Sequence, residues 1–387
     1  MRKTCLVCGA PLMDEPLIIC DHMPAAAQHL PDPAQAEADQ PITLRLRQCA
    51  GCGLVQLDSE PVGYYRDVIR SGGYSTTMHR LRHEQYARFL AECPVEGKRV
   101  IEVGCGQGEF LRVWREDGFP VEAFGIEHDP HLAALARKDG LNVTEGFAEP
   151  GYQIPGGPYD AFCSFNFLEH QPDPSGMLRS IYDSLAERAW GLITVPAWEY
   201  ILEKESYYEL IRDHIAYYSE DTFRFVLEKN GFRVLSMRVV NRDTWEAIVE
   251  KKPPINASAL RRNHRQLREE TDALIARLAS EGKRLAVWGA SHQGLTILSS
   301  MELRGRVAYV IDSAPFKQGK VTTGSHIPIV SREHFHQEPV QAILIIAPGY
   351  TDEIAGLIRR ELSPDIDIYT LRSNHLEPCH GPEEAIP

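Results

Sequence analysis

Lys98-Arg99-Val100-Ile101-Glu102-Val103-Gly104-Cys105-Gly106-Gln107-Gly108-Glu109-Phe110-Leu111 is the stretch that decides the fold. An apolar, β-branched run passes into three glycines at alternate positions and then into helix-forming residues. This is the strand, turn and helix layout in which a backbone can closely approach a nucleoside cofactor. A second apolar run, Ala123-Phe124-Gly125-Ile126-Glu127, ends in a carboxylate 19 residues after Gly108. An acid at that strand end is placed to accept hydrogen bonds from ribose hydroxyls. Dinucleotide enzymes share such a turn, so the turn alone leaves the cofactor open.

Around this stretch lies a chain of 387 residues, long enough for two or three domains. Its apolar, charged, Gly and Pro contents are those of an ordinary globular protein, which excludes disorder, collagen and coiled coil as whole-chain descriptions. A net charge of −13 removes the clustered cations that a general nucleic-acid binder needs. No run approaches the roughly 18–20 apolar residues that cross a bilayer, and Met1-Arg2-Lys3-Thr4-Cys5 lacks the apolar core of a signal peptide. The expectation is a soluble cytoplasmic protein with no nucleic-acid or membrane partner.

Nine cysteines are an odd number for an intracellular chain, which points to metal ligation before disulfides. Cys5-Leu6-Val7-Cys8-Gly9 and Cys49-Ala50-Gly51-Cys52-Gly53 are two C-x-x-C-G knuckles suited to four-coordinate Zn(II). Four sulfurs close the shell, so the metal is expected to be structural. The 40 residues between the knuckles contain Cys20-Asp21-His22, where Cys20 or His22 is an alternative ligand and Cys20 is expected as a buried thiol.

The spacing E-x-G-x-G-x-G, with Glu102 before Gly104, Gly106 and Gly108, resembles motif I of class I S-adenosylmethionine-dependent methyltransferases. The resemblance spans about residues 75–250 and continues through Gly146-Phe147-Ala148-Glu149 and Tyr159-Asp160-Ala161-Phe162-Cys163-Ser164-Phe165-Asn166-Phe167-Leu168-Glu169-His170. It implies a Rossmann-like α/β core with Glu102 near the methionine end of the donor and Glu127 at the ribose. His128, Phe147, Ala148, Asn166, Leu168 and His170 are the further implied donor contacts, with His170 open between that role and capping the loop before Pro172. The segment Asp213-His214-Ile215-Ala216-Tyr217-Tyr218-Ser219 supplies an imidazole that can act as a general base near neutral pH.

Lys251-Lys252-Pro253-Pro254 interrupts the chain. After it, Leu260, Leu267 and Leu274 recur every seven residues, with Leu278 beside them, which predicts an amphipathic helix over 258–280 lying against a neighbouring domain. Apolar runs at 284–288, 307–312 and 342–347 then predict a second parallel α/β unit. Its turn, Gly289-Ala290-Ser291-His292-Gln293-Gly294, lacks the full dinucleotide fingerprint and calls for no second nucleotide cofactor.

Taken with Asp312-x-x-Pro315-x-Lys317-Gln318-Gly319 and Gly324-Ser325-His326-Ile327-Pro328-Ile329, the arrangement resembles the sugar C-methyltransferases of nucleotide-deoxysugar pathways over nearly the whole chain. That resemblance implies methyl transfer from S-adenosylmethionine to C3 of a dTDP-linked 4-keto-deoxyhexose. It implies His214 as the base with Asp213 beside it, and Lys317 and His292 as substrate contacts. The family's Y-H-E-H stretch reads Ile211-Arg212-Asp213-His214 here, and its T-H-G-G-S segment reads Asn241-Arg242-Asp243-Thr244-Trp245, which puts Arg242 and Trp245 in the acceptor pocket. The Tyr-rich stretch survives as Gly72-Gly73-Tyr74-Ser75-Thr76-Thr77, with Tyr74 either over the active site or packing in a lid.

The expected organisation is a zinc-binding segment over 1–70, a methyltransferase domain over 71–252 and a C-terminal α/β substrate-binding domain over 253–387. The acceptor is expected in the cleft between the last two. Methylation of oxygen or nitrogen on another small metabolite, and a non-catalytic donor-binding module, are the alternative readings.

Overall fold

The computed structural model describes residues 1–28, 30–66 and 74–379; Gly72 and Gly73 of the Tyr-rich stretch lie outside the described residues. The chain forms two compact units, Met1–Pro254 and Ile255–Pro387. In the first unit the strands are β1 (Ile18–Met23), β2 (Ile42–Gln48), β3 (Val55–Leu57), β4 (Arg99–Val103), β5 (Glu122–Glu127), β6 (Asn142–Glu145), β7 (Tyr159–Phe165), β8 (Leu185–Pro196), β9 (Ala216–Tyr217), β10 (Phe232–Val240) and β11 (Thr244–Lys251).

Seven of these form one sheet in the order β10-β11-β8-β7-β4-β5-β6. Its five inner and β6-side strands run parallel, while β11 pairs antiparallel with β8 and β10 antiparallel with β11. This is the doubly wound α/β architecture of the class I methyltransferases, and the strand order reverses beside β4. Every residue of β4 but Arg99 and every residue of β7 but Asp160 is buried, so both faces of those strands are covered, as a sheet with helices on both sides requires. On one face Tyr86 stacks on Trp114 at 3.6 Å, and both are fully buried. Ligands of such sheets bind outside the carboxyl ends of the strands at the reversal point.

A second sheet has the order β1-β2-β3-β9. Three of its strands come from the N-terminal segment and the fourth, β9, from far along the chain. Val55 pairs with Tyr217 and Gln56 with Ala216, so the segment that carries the cysteines shares a ladder with the strand that follows His214. The N-terminal segment is therefore completed by residues from far along the chain.

The second unit contains β12 (Leu285–Trp288), β13 (Val310–Ile311), β14 (Ile329–Val330), β15 (Ala342–Ile345), β16 (Asp367–Thr370) and β17 (Glu377–Pro378) in the order β14-β13-β12-β15-β16-β17. All its pairs are parallel except β16 with β17. The helix Ser258–Ser280 forms as the leucine spacing predicts, but two details differ. Leu260 is 73% exposed, and Leu267, Leu274 and Leu278 pack with Leu285 and Val287 of the same unit. The leucine stripe closes its own core because the strand that follows returns under it. No described helix is long and apolar enough to cross a membrane.

Candidate active site and metal centre

The cavity of the first unit, about 510 Å³, opens where β4, β5 and β7 end. Gly104, Gly106 and Gly108 have φ of 73°, 59° and 77°, the left-handed region that side chains rarely adopt, so only glycine takes this path without strain. A Cβ on Gly104 would press on the Phe167 ring at 3.2 Å. The turn brings the Gly106 N–H to Glu127, where it donates to Oε2 at 2.8 Å, and the Asp129 N–H donates to Oε1 at 2.9 Å. Glu127, 8% exposed, is thereby fixed on the cavity wall. Gly146, Phe147 and Ala148 form the adjoining wall, with the His128 ring edge-on to Phe147 at 5.6 Å.

Asn166 closes the carboxyl end of β7 with φ of 47°. A non-glycine residue there costs on the order of 1 kcal/mol and needs outside support. Thr194 provides it: its hydroxyl donates to Asn166 Oδ1 at 2.8 Å, and its carbonyl accepts the Asn166 N–H at 3.0 Å. Arg82 reaches the cavity from the helix Thr76–Glu92, with its guanidinium carbon 3.9 Å from the Phe110 ring centre and 3.2 Å from that of Phe165. The desolvated cation gains from both ring faces.

Across the cavity, Asp213 and His214 lie in the loop ahead of β9. The Tyr64 hydroxyl donates to Asp213 Oδ1 at 2.8 Å, and the Ala27 N–H donates to the same oxygen at 3.3 Å. His170 Nδ1 lies 2.9 Å from the Asp213 carbonyl oxygen. A carbonyl cannot donate, so Nδ1 carries the proton and Nε2 keeps its lone pair. The His170 and His214 rings meet edge to face at 4.7 Å. Burial, then the neighbouring His170, holds His214 well below the usual histidine range, and burial pulls His170 down to about 4. Glu169, 1% exposed, also lines the cavity, and burial pushes its carboxyl up to about 8.

The cavity wall thus brings together Gly104, Gly106, Glu127, His128, Phe147, Ala148, Asn166, His170, Asp213 and His214. Other expected residues lie elsewhere. Glu102 is buried in β4 and is not on the wall; Gly108 and Leu168 lie outside it as well. Tyr74 points away, its hydroxyl donating to Glu116 Oε2 at 3.1 Å and its ring against His79, because the N-terminus of its helix faces the helix Glu109–Glu116. Trp245 is buried with its indole N–H on Glu199 Oε2 at 2.9 Å, and Arg242 is exposed in the turn between β10 and β11. Their neighbours Asn241, Asp243 and Thr244 line the cavity instead. Strand alternation turns Trp245 inward once Thr244 faces the cavity.

In the second unit, Lys317 Nζ contacts Asp312 Oδ2 at 2.9 Å and the Ala290 carbonyl at 3.0 Å, so its charge is matched internally. His292 lines a separate cavity of about 380 Å³. Residues that sequence reasoning missed include Ala27, Tyr64, Arg82, Glu169 and Thr194. Only Glu169 stood in a motif already quoted; Tyr64 meets Asp213 across 149 positions, which no local pattern reveals.

The four knuckle cysteines converge. Cys5 Sγ is 3.6 Å from Cys52 Sγ and Cys8 Sγ 3.4 Å from Cys49 Sγ, and all four sulfurs lie within 4.8 Å of one another. A tetrahedral Zn(II) with bonds of about 2.3 Å holds its sulfurs about 3.8 Å apart, so the group fits that ion. The Val7 and Cys8 N–H groups donate to Cys5 Sγ, and those of Gly51 and Cys52 to Cys49 Sγ, which stabilises thiolate. Cys20 is half-buried in β1 rather than buried, because β1 is an edge strand, and neither it nor His22 belongs to the group.

The Methyltransferase domain family matches residues 78–237, and the C-methyltransferase C-terminal domain family matches residues 238–361, starting within β10. The C-methyltransferase NovU of Streptomyces niveus is 25% identical, with 86% of each chain covered. A ubiquinone biosynthesis O-methyltransferase of Xylella fastidiosa is 30% identical over 27% of this chain and 45% of its own. Among solved structures, a chain of the complex between the Haloferax volcanii Trm112 methyltransferase activator and the putative methyltransferase is 20% identical. It has a TM-score of 0.40, and 47% of this chain and 95% of that one are covered.

Proposed function

We propose that this S-adenosylmethionine-dependent methyltransferase, whose family matches and likeness to NovU are those of C-methyltransferases, methylates the carbon next to the ketone of a nucleotide-linked keto-deoxysugar. One observation carries this reading. A half-buried imidazole, His214, held neutral by its surroundings, shares a cavity with the glycine turn and Glu127. An oxygen or nitrogen acceptor can lose its proton to water, whereas a carbon acid needs a positioned base.

The donor supplies an electrophilic methyl carbon on a sulfonium. Gly104 and Gly106 would let the backbone approach it, Glu127 would accept from its ribose, and Arg82 would supply positive charge for its carboxylate. The His214 lone pair takes the proton from the carbon next to the ketone, leaving an enolate whose carbon then faces the methyl group. Asp213 fixes the loop through Tyr64 and Ala27, and His170 through the Asp213 carbonyl, so the base keeps its aim. Two members of the wall therefore act as positioning residues.

The four cysteines hold structural Zn(II) in this reading, and their donor set leaves no open coordination position. The carbon acceptor is supported by the likeness to NovU, a C-methyltransferase, and by the carbon-acid chemistry that a neutral His214 permits, while the nucleotide-linked keto-deoxysugar follows from the resemblance of the sequence motifs. The test is turnover of nucleotide-linked keto-deoxysugars, read by mass spectrometry as a gain of one methylene unit. His214→Ala is expected to lower kcat by roughly 10²–10⁴-fold with donor affinity unchanged. Full turnover by that variant would assign the methyl group to oxygen or nitrogen.

A further inference from the structure

Glu169 presents an unusual combination on the cavity wall. It is 1% exposed, yet neither carboxylate oxygen has a hydrogen-bond partner. Unsatisfied buried polar atoms are rare and point to an ion or water in the site. Two imidazoles surround it. His170 Nε2 stands 3.9 Å from Glu169 Oε1, and a nitrogen of His214 completes a group of three ligand atoms, all within 4.8 Å of one another.

The orientation of His170 is the second clue. Its Nδ1–H is tied to the Asp213 carbonyl at 2.9 Å, which turns the Nε2 lone pair toward Glu169. Metal-binding histidines have this arrangement, one ring nitrogen fixed on a carbonyl and the other aimed at the ion. Bonds of 2.0–2.2 Å around a tetrahedral centre separate nitrogen and oxygen ligands by about 3.4 Å. Contraction from the present spacing needs only side-chain adjustment of about an ångström.

We propose that Glu169, His170 and His214 form a second cation site, separate from the four cysteines and inside the catalytic cavity, for a divalent transition metal. Two imidazoles and one carboxylate suit zinc, cobalt or nickel, whereas magnesium and calcium favour oxygen alone. The fourth position opens onto the cavity. A metal bound here uses the lone pair with which His214 would remove a proton, so it blocks the base; this consequence rests on the function proposed above. The ion needed by the knuckles would then inhibit when in excess.

The experiment uses the full chain with its cysteine site already loaded with zinc, titrated with Co(II). One further equivalent is expected to bind, giving visible bands of nitrogen and oxygen ligation without the intense thiolate-to-cobalt absorption that displacement of the zinc would cause. Glu169→Gln, which keeps the side-chain shape, and His170→Asn are each expected to weaken this equivalent by about tenfold or more while the cysteine-bound zinc stays in place. Failure to bind a second ion, thiolate absorption on binding, or unchanged affinity in both variants would overturn the site. A merely protonated Glu169 bonded to cavity water gives the first of these results.

Inhibition is read separately, as loss of methyl transfer in proportion to cobalt occupancy. Undiminished transfer by the cobalt-filled protein would overturn the blocking role. If the cobalt-free protein turns over no keto-sugar, the proposed acceptor fails, and the binding titration still decides the metal site.

Discussion

At the residue scale, the donor and base sides of the cavity make different demands. Glu127 is fixed by two backbone N–H groups before any ligand arrives, so it costs little reorganisation to accept from a ribose. Glu127→Ala is expected to weaken S-adenosylmethionine binding, read by calorimetry, by roughly 10–100-fold, since hydrogen bonds to a charged group are worth about 1.5–3 kcal/mol. Retained affinity would remove Glu127 from the donor site. His214 gives a pH expectation. Its folded-state value lies below the ordinary 6.5 or so, so the ring is already neutral at that pH and the neutral form is the active one. As pH falls from 8, kcat/KM is expected to stay level through the ordinary histidine range and to decline only in more acidic solution. A half-maximal point near the ordinary value would place the ring in water.

The same scale explains what could be read without a structure. The glycine turn and Glu127 follow from local spacing because each hangs on the end of a strand whose register the apolar pattern sets, whereas Phe147, Ala148 and Asn166 are implied by the resemblance of their motifs. Tyr74 could not be placed by such means, since the facing of its helix decides that it meets Glu116. Lys317 differs: Asp312, the acid that pairs with its charge, stands five residues away in a motif already quoted.

At the element scale, the controlling feature is the ladder between β3 and β9. The Cys49 knuckle runs directly into β3, and Leu57 N–H donates to the Ile215 carbonyl at 3.0 Å, one residue after His214. The cysteine site is thereby a clamp on the loop that carries His214. Removing the metal with a chelator is expected to raise hydrogen–deuterium exchange at 213–218 along with that of the knuckles, and to leave β4 and β5 protected. Exchange confined to residues 1–60 would separate the two. Sequence reading assigned the knuckles a structural role but could not foresee this connection, since β9 is two residues long and has no periodicity to detect.

At the scale of the whole molecule, each unit has its own core and its own cavity. Among the described residues, the wall of the larger cavity draws only on those between Ala27 and Thr244. A chain ending at Pro254 is therefore expected to bind S-adenosylmethionine within about tenfold of the full chain, read by calorimetry; loss of binding would make the second unit part of the donor site. The C-methyltransferase C-terminal match begins at residue 238, inside the first sheet, so β11 and the cavity residues Asn241, Asp243 and Thr244 belong to that match though not to the second unit. Sequence pattern located both α/β regions through their buried strands. It could not reveal that the matched family region and the compact unit begin at different places.

The central claim, that His214 removes a proton from carbon, is tested most directly without any methyl transfer. A nucleotide-linked keto-deoxysugar is incubated in deuterium oxide with the zinc-loaded protein and S-adenosylhomocysteine, and exchange at the carbon next to the ketone is followed by nuclear magnetic resonance. Exchange that is catalysed by the wild-type protein and absent in His214→Asn is the expected result. Equal exchange by both proteins, with S-adenosylhomocysteine bound in each, would contradict it.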